Sequence, residues 1–541
     1  MLNRLRWPNG PAAVLAAGLL AGCGGGGSSA APQSAAAKPP LSSSYDVRTY
    51  GARCDGHTDD TAAIQSAEQD AAKAAQSGQA TIVTLPSGVC ALGGPIAWDS
   101  NVSLDGAGMN ATTLTALSTF TYDPSKVRTG PGGKLIGMIW LDGPTATSPI
   151  ENVTIENVGF DPRAGTQNWS SSTGIRLYNP ISCYERAVHN LTVQHVYFEL
   201  GANPTAAYTA TGTEGPKAFV GVSLSQLGVD PLDASHDLVF NDVHAHNGDG
   251  MLRFGLGGST KNGVTSSFYN LTVENEYDTV DLDNIEDDRI EIDGATLPYA
   301  QPLTGAPLGS IKHLVFQNIN VTVAPSVTVA SVNALRLNSS FNTEIDDVSV
   351  NGITYVGAPS GFGPIVDGTM HQGTGSVISM NTNDVQGYID DLNVQNINAQ
   401  YTIGVGLALG APPGQPLVAT LQNVVVQNAF IYGGVGFTFS TAKPTVRNPN
   451  GPYDVVVSNV QVSGSPQNAL AGTAPLGVDF HRHLLTAGDD YVMLQNVTVT
   501  GFTTALLIDP GFDGMLLDNV HWTGTAQFGS KVTEQNSGPT T

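Results

Sequence analysis

The chain has 541 residues, of which 13% are charged and 63 are glycine, and it carries a formal net charge of −24 with a pI near 4.6. Phosphate recognition rests on clustered lysine and arginine, so this balance argues against a nucleic-acid partner, and an anionic polymer would need a local cationic patch. Abundant glycine with few long helical periods points to short strands joined by many turns.

Residues 1–22 combine Arg4 and Arg6 with an apolar run from Pro11 to Leu20 and end in Leu20-Ala21-Gly22-Cys23. A basic start and a short apolar core make an export signal, too short for a stable membrane span. The ending resembles a bacterial lipoprotein processing site, which implies that Cys23 becomes a lipidated first residue, holding an exported protein on the bacterial cell membrane. Residues 23–44 are a Gly/Ser/Ala/Pro tether with nothing to bury.

Beyond the tether, Ala62 to Ala75 is a good helix-forming run, and Thr58 or Asp59 can accept from the free N–H groups of its first turn. Asp59 and Asp60 therefore read as caps rather than catalysts. Cys54 and Cys90 flank this helix, and export to an oxidising compartment favours a disulfide between them. Cys183 is then left unpaired, as a buried small apolar residue.

From Asn152 onward one unit recurs. Its first strand reads NVTIENVGF at Asn152, NLTVQHVYF at Asn190, DLVFNDVHA at Asp237 and NLTVENEYD at Asn270, with later copies down to MLLDNVHW at Met515. Its second strand reads GIRLYN at Gly174, MLRFGL at Met251, TVDLDN at Thr279 and NALRLN at Asn333. No copy can bury its own apolar side, but stacked copies make a continuous core. The expected fold is an all-β, single-stranded parallel β-helix over residues 45–530, closed by the N-terminal helix and followed by a disordered tail, 531–541. Alternation in the second strand turns Arg176, Ser223, Arg253, Asp281, Arg336, Ser379, Ala408, Thr438 and Asp479 outward as one file. The long step from Asp281 to Arg336 leaves open a further coil through Arg289-Ile290-Glu291-Ile292-Asp293.

Tyr50-Gly51-Ala52, Asp55-Gly56, Thr58-Asp59-Asp60-Thr61, Ala63-Ile64-Gln65 and Leu85-Pro86-Ser87-Gly88 resemble the N-terminal signature of the pectate-lyase-like, right-handed parallel β-helix superfamily. That superfamily includes polygalacturonase-type glycoside hydrolases. Asn247-Gly248-Asp249-Gly250 is similar to their Asn-Thr-Asp-Gly segment, and Asp278 sits one coil later, where they pair two aspartates; here Asp278 has no adjacent second aspartate. The resemblance implies acid and base roles for Asp249 and Asp278, with Asp281 as the alternate.

Arg176, Arg253 and Arg336 interleaved with Asp249, Asp278, Asp281 and Asp283 are unusual in so weakly charged a chain. One reading is a subsite in which the arginines and Asp283 hold an acidic sugar and the catalytic carboxylates move protons. The other is a set of cross-strand ion pairs and turn-satisfying aspartates. On the first, the protein is an exported glycoside hydrolase acting on a uronate-containing polysaccharide. A lyase in the same groove is the alternative, with Arg253 or Lys261 as base, and a non-catalytic glycan-binding solenoid is the third reading. The run Asp278 to Asp288 offers hard oxygen ligands for Ca²⁺ without a recognised loop pattern, so no cofactor is required. His244 and His246 suit hydrogen bonding better than metal binding. A monomer is expected.

Overall fold

The structure is a computed structural model describing residues 43–540, apart from 122–133, 142–147, 165–174, 184–185, 202–219, 226–233, 249, 256–266, 283–284, 294–308, 328–329, 339–342, 360–374, 383–385, 410–417, 434, 442–452, 465–475, 482–490, 509–514 and 530–531. Cys23 and the export signal fall outside the described residues. The tether's last two residues, Ser43 and Ser44, already pair with Thr81 and Ile82.

The long strand that opens a coil bends twice in the coils from Ile150–Asp161 to Val418–Tyr432 and once in those that follow. In Val188–Gly201 the bends fall at Asn190 (φ 56°) and His195 (φ 52°), and the same five-residue interval separates Asn152 from Asn157, Asp237 from Asp242 and Asn270 from Asn275. Asparagine, aspartate and histidine tolerate this left-handed backbone better than branched residues. Between and beyond the bends the apolar residues turn inward: Leu191, Val193, Val196 and Phe198 are buried. Parallel pairing then stacks like on like, as in Leu191 on Leu238, Leu238 on Leu271, Leu271 on Leu314 and Leu314 on Val348.

Among the described residues the long strands lie in a 19-stranded sheet and the second strands of the coils in a 13-stranded sheet, with the apolar core enclosed between them. At the later bends the asparagine amides make a ladder: Asn428 donates to Asn396 at 3.4 Å, Asn459 to Asn428 at 3.4 Å, Asn496 to Asn459 at 3.1 Å and Asn519 to Asn496 at 2.8 Å.

The helix Thr61–Ala75 packs Ile64, Ala67, Ala71 and Ala75 onto the first coils. Asp59 accepts from the Thr61 N–H at 3.0 Å. Asp60 turns away from the helix and accepts from the N–H groups of Arg53, Cys54 and Ala91. A disulfide joins Cys54 to Cys90, and Cys183 stands outside it, buried, with its Sγ donating to the Arg186 carbonyl at 3.5 Å. At the other end, Thr533–Gln535 and Gly538–Pro539 pair with Met515–Trp522. The expected disordered tail is thus corrected: it covers the last sheet edge, which would otherwise present unpaired backbone groups.

The outward file of the second sheet also needs correction. Strand pairing gives Ser182, Ser223, Arg253, Glu291, Arg336, Ser379, Gly406, Thr438 and Asp479. Glu291 takes the place expected of Asp281, because Ile285–Asp293 is the second strand of that coil. Ser182 replaces Arg176, since a bulge between Leu177 and Asn179 shifts the register. Corners of unequal length defeat a fixed sequence spacing.

Candidate active site on the second sheet

Alternation along Ile285–Asp293 buries Ile290 and Ile292 and sends Glu291 and Asp293 outward on the same face. Arg253 flanks Glu291 from one neighbouring strand and Arg336 from the other. Arg253 Nε lies 2.9 Å from Glu291 Oε2. Arg336 Nη1 lies 2.7 Å from Asp288 Oδ2 and 3.6 Å from Glu291 Oε1. Asn333 donates to Asp288 at 2.6 Å, and Asn338 donates to Asp293 at 2.7 Å.

Three carboxylates and two guanidinium groups therefore share one strip across three coils. Both arginines reach solvent, with side chains 37% and 25% exposed, whereas Asp288, Glu291 and Asp293 form a buried floor. Burial pushes the Asp293 carboxyl up to about 7, the Glu291 carboxylate adds to the shift, and the two arginines oppose it. A carboxylic acid that keeps its proton near neutrality, beside an ion-paired carboxylate, is the arrangement acid–base chemistry uses.

The sequence-predicted residues separate. Arg253 and Arg336 meet in this strip. Asp281 lies on the other sheet's corner, where it accepts from Asn247 at 3.0 Å and sits 3.2 Å from His246 Nε2; these neighbours, Asn247 foremost, hold its carboxyl below the usual range. Asp249 and Asp283 lie outside the described residues, as does the Arg176 side chain.

Asp278 must be corrected. Its pairing with Ala245 and Val321 puts it in the inner row, fully buried, with Oδ2 2.7 Å from Arg289 Nε. There it cannot meet a polymer.

Asp288, Glu291 and Asp293 lie on a strand that the reading of Thr279–Asn284 as this coil's second strand passes over; the alternation in Arg289-Ile290-Glu291-Ile292-Asp293 is the signal that marks it.

The described members of the acidic run face different ways: Asp278 points into the core, Asp281 stands on a corner of the long sheet, and Asp288 holds Arg336. Among the described residues the group with metal-ligand spacing is Cys54, Asp60 and Cys90, whose sulfurs are consumed in the disulfide. His244 bonds Asp242 and packs on Tyr277, and His246 bonds Glu199.

The fold defines the class: the chain is a parallel β-helix protein. Residues 44–251 match the family model described as Rhamnogalacturonase A/epimerase, pectate lyase-like, a stretch that ends before Arg253, Glu291 and Asp293. No curated protein matches the sequence. Solved structures similar to the chain include the A-module of the Azotobacter vinelandii mannuronan C-5 epimerase AlgE6, at 12% identity and TM-score 0.33, covering 92% of this chain and 99% of that one. A Yersinia enterocolitica family 28 exopolygalacturonase is 12% identical, TM-score 0.45, over 92% and 79%. The Streptococcus pneumoniae surface adhesin PfbA is 10% identical, TM-score 0.41, over 91% and 92%.

Proposed function

We propose that the protein is an exported polysaccharide-degrading enzyme, a glycoside hydrolase that cleaves an acidic, uronate-containing polysaccharide on the strip between Arg253 and Arg336. The observation that carries this reading is the Glu291–Asp293 pair: two carboxyl groups on one face of one strand, one holding its proton to about 7, flanked by guanidinium groups.

Asp293 gives its proton to the glycosidic oxygen as the C–O bond breaks, and the Glu291 carboxylate supports the anomeric carbon from the other side. It does so either by attacking that carbon or by taking the proton of an attacking water, and carboxyl separation divides the two outcomes. Arg253 and Arg336 grip the sugar carboxylate, since the guanidinium fork matches that group. Successive strands lie about 4.8 Å apart, so one sugar unit spans neighbouring coils.

The flanking arginines also favour a second reading, β-elimination, in which Glu291 takes the C5 proton next to the uronate carboxylate, a guanidinium stabilises the enolate, and its collapse to the C4–C5 double bond expels the glycosidic oxygen, which takes a proton from Asp293. One incubation tests both. Uronate polymers are offered to the protein while reducing ends and the ultraviolet absorbance of unsaturated ends are followed. Hydrolysis raises reducing ends alone, and elimination raises both. Glu291→Gln and Asp293→Asn should abolish product with the melting temperature retained; full turnover in both variants would remove the strip from consideration.

Export on a lipid attached to Cys23 belongs to the same proposal and is supported by the basic, apolar and Leu-Ala-Gly-Cys order of residues 1–23. Metabolic fatty-acid labelling that persists in Cys23→Ala would refute it.

A further inference from the structure

One coil carries charge on its inner side as well. Glu276 pairs with Val243 and Ile319, and Asp278 with Ala245 and Val321, so both acids occupy rows that are otherwise apolar. On the facing sheet Arg289 holds the position that Met251 and Ala334 hold in the neighbouring strands, each one residue before the paired Leu252, Ile290 and Leu335. Glu276, Asp278 and Arg289 are all buried, Arg289 at 0% exposure.

As two carboxylates, Glu276 and Asp278 would leave both Glu276 oxygens and Asp278 Oδ1 without a donor. Burial, and then the Asp278 charge, push the Glu276 carboxyl well above its usual range. The retained proton makes Glu276 a donor toward Asp278, and the remaining pair, Asp278 and Arg289, is charge-balanced.

An apolar trio would give this coil at least as much stability, because burying an ion pair costs desolvation that its attraction only roughly repays. Arg289 does something an apolar residue cannot. Its Nη1 donates to the Gly248 carbonyl at 2.8 Å and its Nη2 to the Asn247 carbonyl at 2.9 Å. These carbonyls belong to the corner leading from Ser235–Asn247 to Gly250–Gly255, where Asn247, Gly248 and Gly250 all have positive φ (58°, 66° and 145°). On the corner's outer side, Asn247 donates to Asp281 Oδ1 and accepts from the Asp281 N–H, both at 3.0 Å. Gly250 presses on the strip itself: a Cβ there would lie 2.3 Å from the Asp288 carbonyl oxygen.

We infer that Arg289, seated on Asp278 inside the β-helix, is a positioning residue that sets Asn247, Gly248 and Gly250 against Asp288 and so fixes the geometry of the Arg253–Glu291–Arg336 strip. This rests on the strip being the reaction site, although the corner can be read out without activity.

The test is a triple substitution, Glu276→Val with Asp278→Ala and Arg289→Met, which copies the residues of the preceding coil (Val243, Ala245, Met251). Restoring apolar rows keeps the fold, with a melting temperature at or above wild type. Two measurements follow: kcat and KM on a polymer the wild type cleaves, and amide hydrogen exchange at Asp281 and Gly250. The expected result is a fall of about a hundredfold in kcat, as for a misplacement of about 1 Å, with KM changed less than kcat and clearly faster exchange at both amides.

Arg289→Lys, which keeps the charge and one donor direction, should recover part of both. A folded triple variant with wild-type kcat and wild-type exchange overturns the inference. If the wild type cleaves no polymer, the reading of the strip as a reaction site falls, and unchanged exchange in the triple variant would still overturn the positioning role separately. If the triple variant fails to fold, Arg289→Lys alone decides, since wild-type exchange and turnover in it would remove any need for the forked guanidinium.

Discussion

The coils around Ile285–Asp293 and those from Ser376–Thr382 onward share one geometry and differ in what they place on it. In the first group the outward row reads Arg253, Glu291, Arg336, and the inner rows admit Glu276, Asp278 and Arg289. In the second group the outward row passes through Ser379 and Gly406 and meets a single acid, Asp479, with no arginine beside it in the row, while inner positions are filled by residues such as Ile397, Ala399 and Ile431. Asparagine bends and apolar rows close both groups equally well. Charge in the first group is therefore not a requirement of the solenoid, and a use outside folding accounts for it.

The largest expected effect that would break this contrast concerns chemistry. Glu291→Gln or Asp293→Asn should lower turnover by about a thousandfold without lowering the melting temperature. Ser379→Ala, in the quiet coils, should leave turnover within about twofold, because it moves no proton. Equal losses at Ser379 and Glu291 would dissolve the distinction between the two groups.

Next in size is the single change Arg289→Met, which strands Asp278 inside the core and should cost about 3 kcal/mol in denaturant unfolding. A similar loss, about 3 kcal/mol, is expected of Cys54→Ser with Cys90→Ser under oxidising conditions. That loss should appear as exposure of the helix Thr61–Ala75 to protease, leaving the charged coils protected.

Acidity gives a third contrast. Asp293 is raised from 3.8 to about 7 and Glu68, on the buried face of the capping helix beside Asp99, from 4.5 to about 8. Each folded carboxyl binds its proton more tightly than the unfolded one, so its contribution to stability is complete below the unfolded value and is lost as pH rises through the folded value. The melting temperature should fall as pH rises from 3.8 toward about 8. Asp293→Asn and Glu68→Gln should each flatten their part of that slope, and a slope unaltered in both variants would contradict the burial described here.

The smallest effect belongs to the quiet coils. Asn459→Ala, at φ 56°, removes one rung of the amide ladder and forces a left-handed alanine, costing about 1 kcal/mol.

Much of the architecture was legible because it is local and repeated. Alternation in NLTVQHVYF or DVVVSNVQV names the inward residues whatever the coil's length, and an asparagine, aspartate or histidine at the start of many copies marks the bend. The capping helix and the flanking cysteines could likewise be read from short stretches. The site is only partly legible: outward parity picks out Arg253 and Arg336, but a fixed spacing puts Asp281 between them, ten residues before Glu291, which strand register places there. Counting a nearly constant period cannot detect a corner that lengthens, and Thr279 to Asp283 alternates as convincingly as Arg289 to Asp293.

The sequence by itself determined a stacked β solenoid, its cap and the facing of each strand, since these depend on side-chain periodicity within a few residues. Tertiary structure alone decided which strands are neighbours, and with that whether an aspartate faces a polymer or an arginine in the core. Asp278 and Glu291 look alike in a linear reading. Only register between strands places one inside and the other in the strip, because register is set by corner lengths and by packing across the whole cross-section.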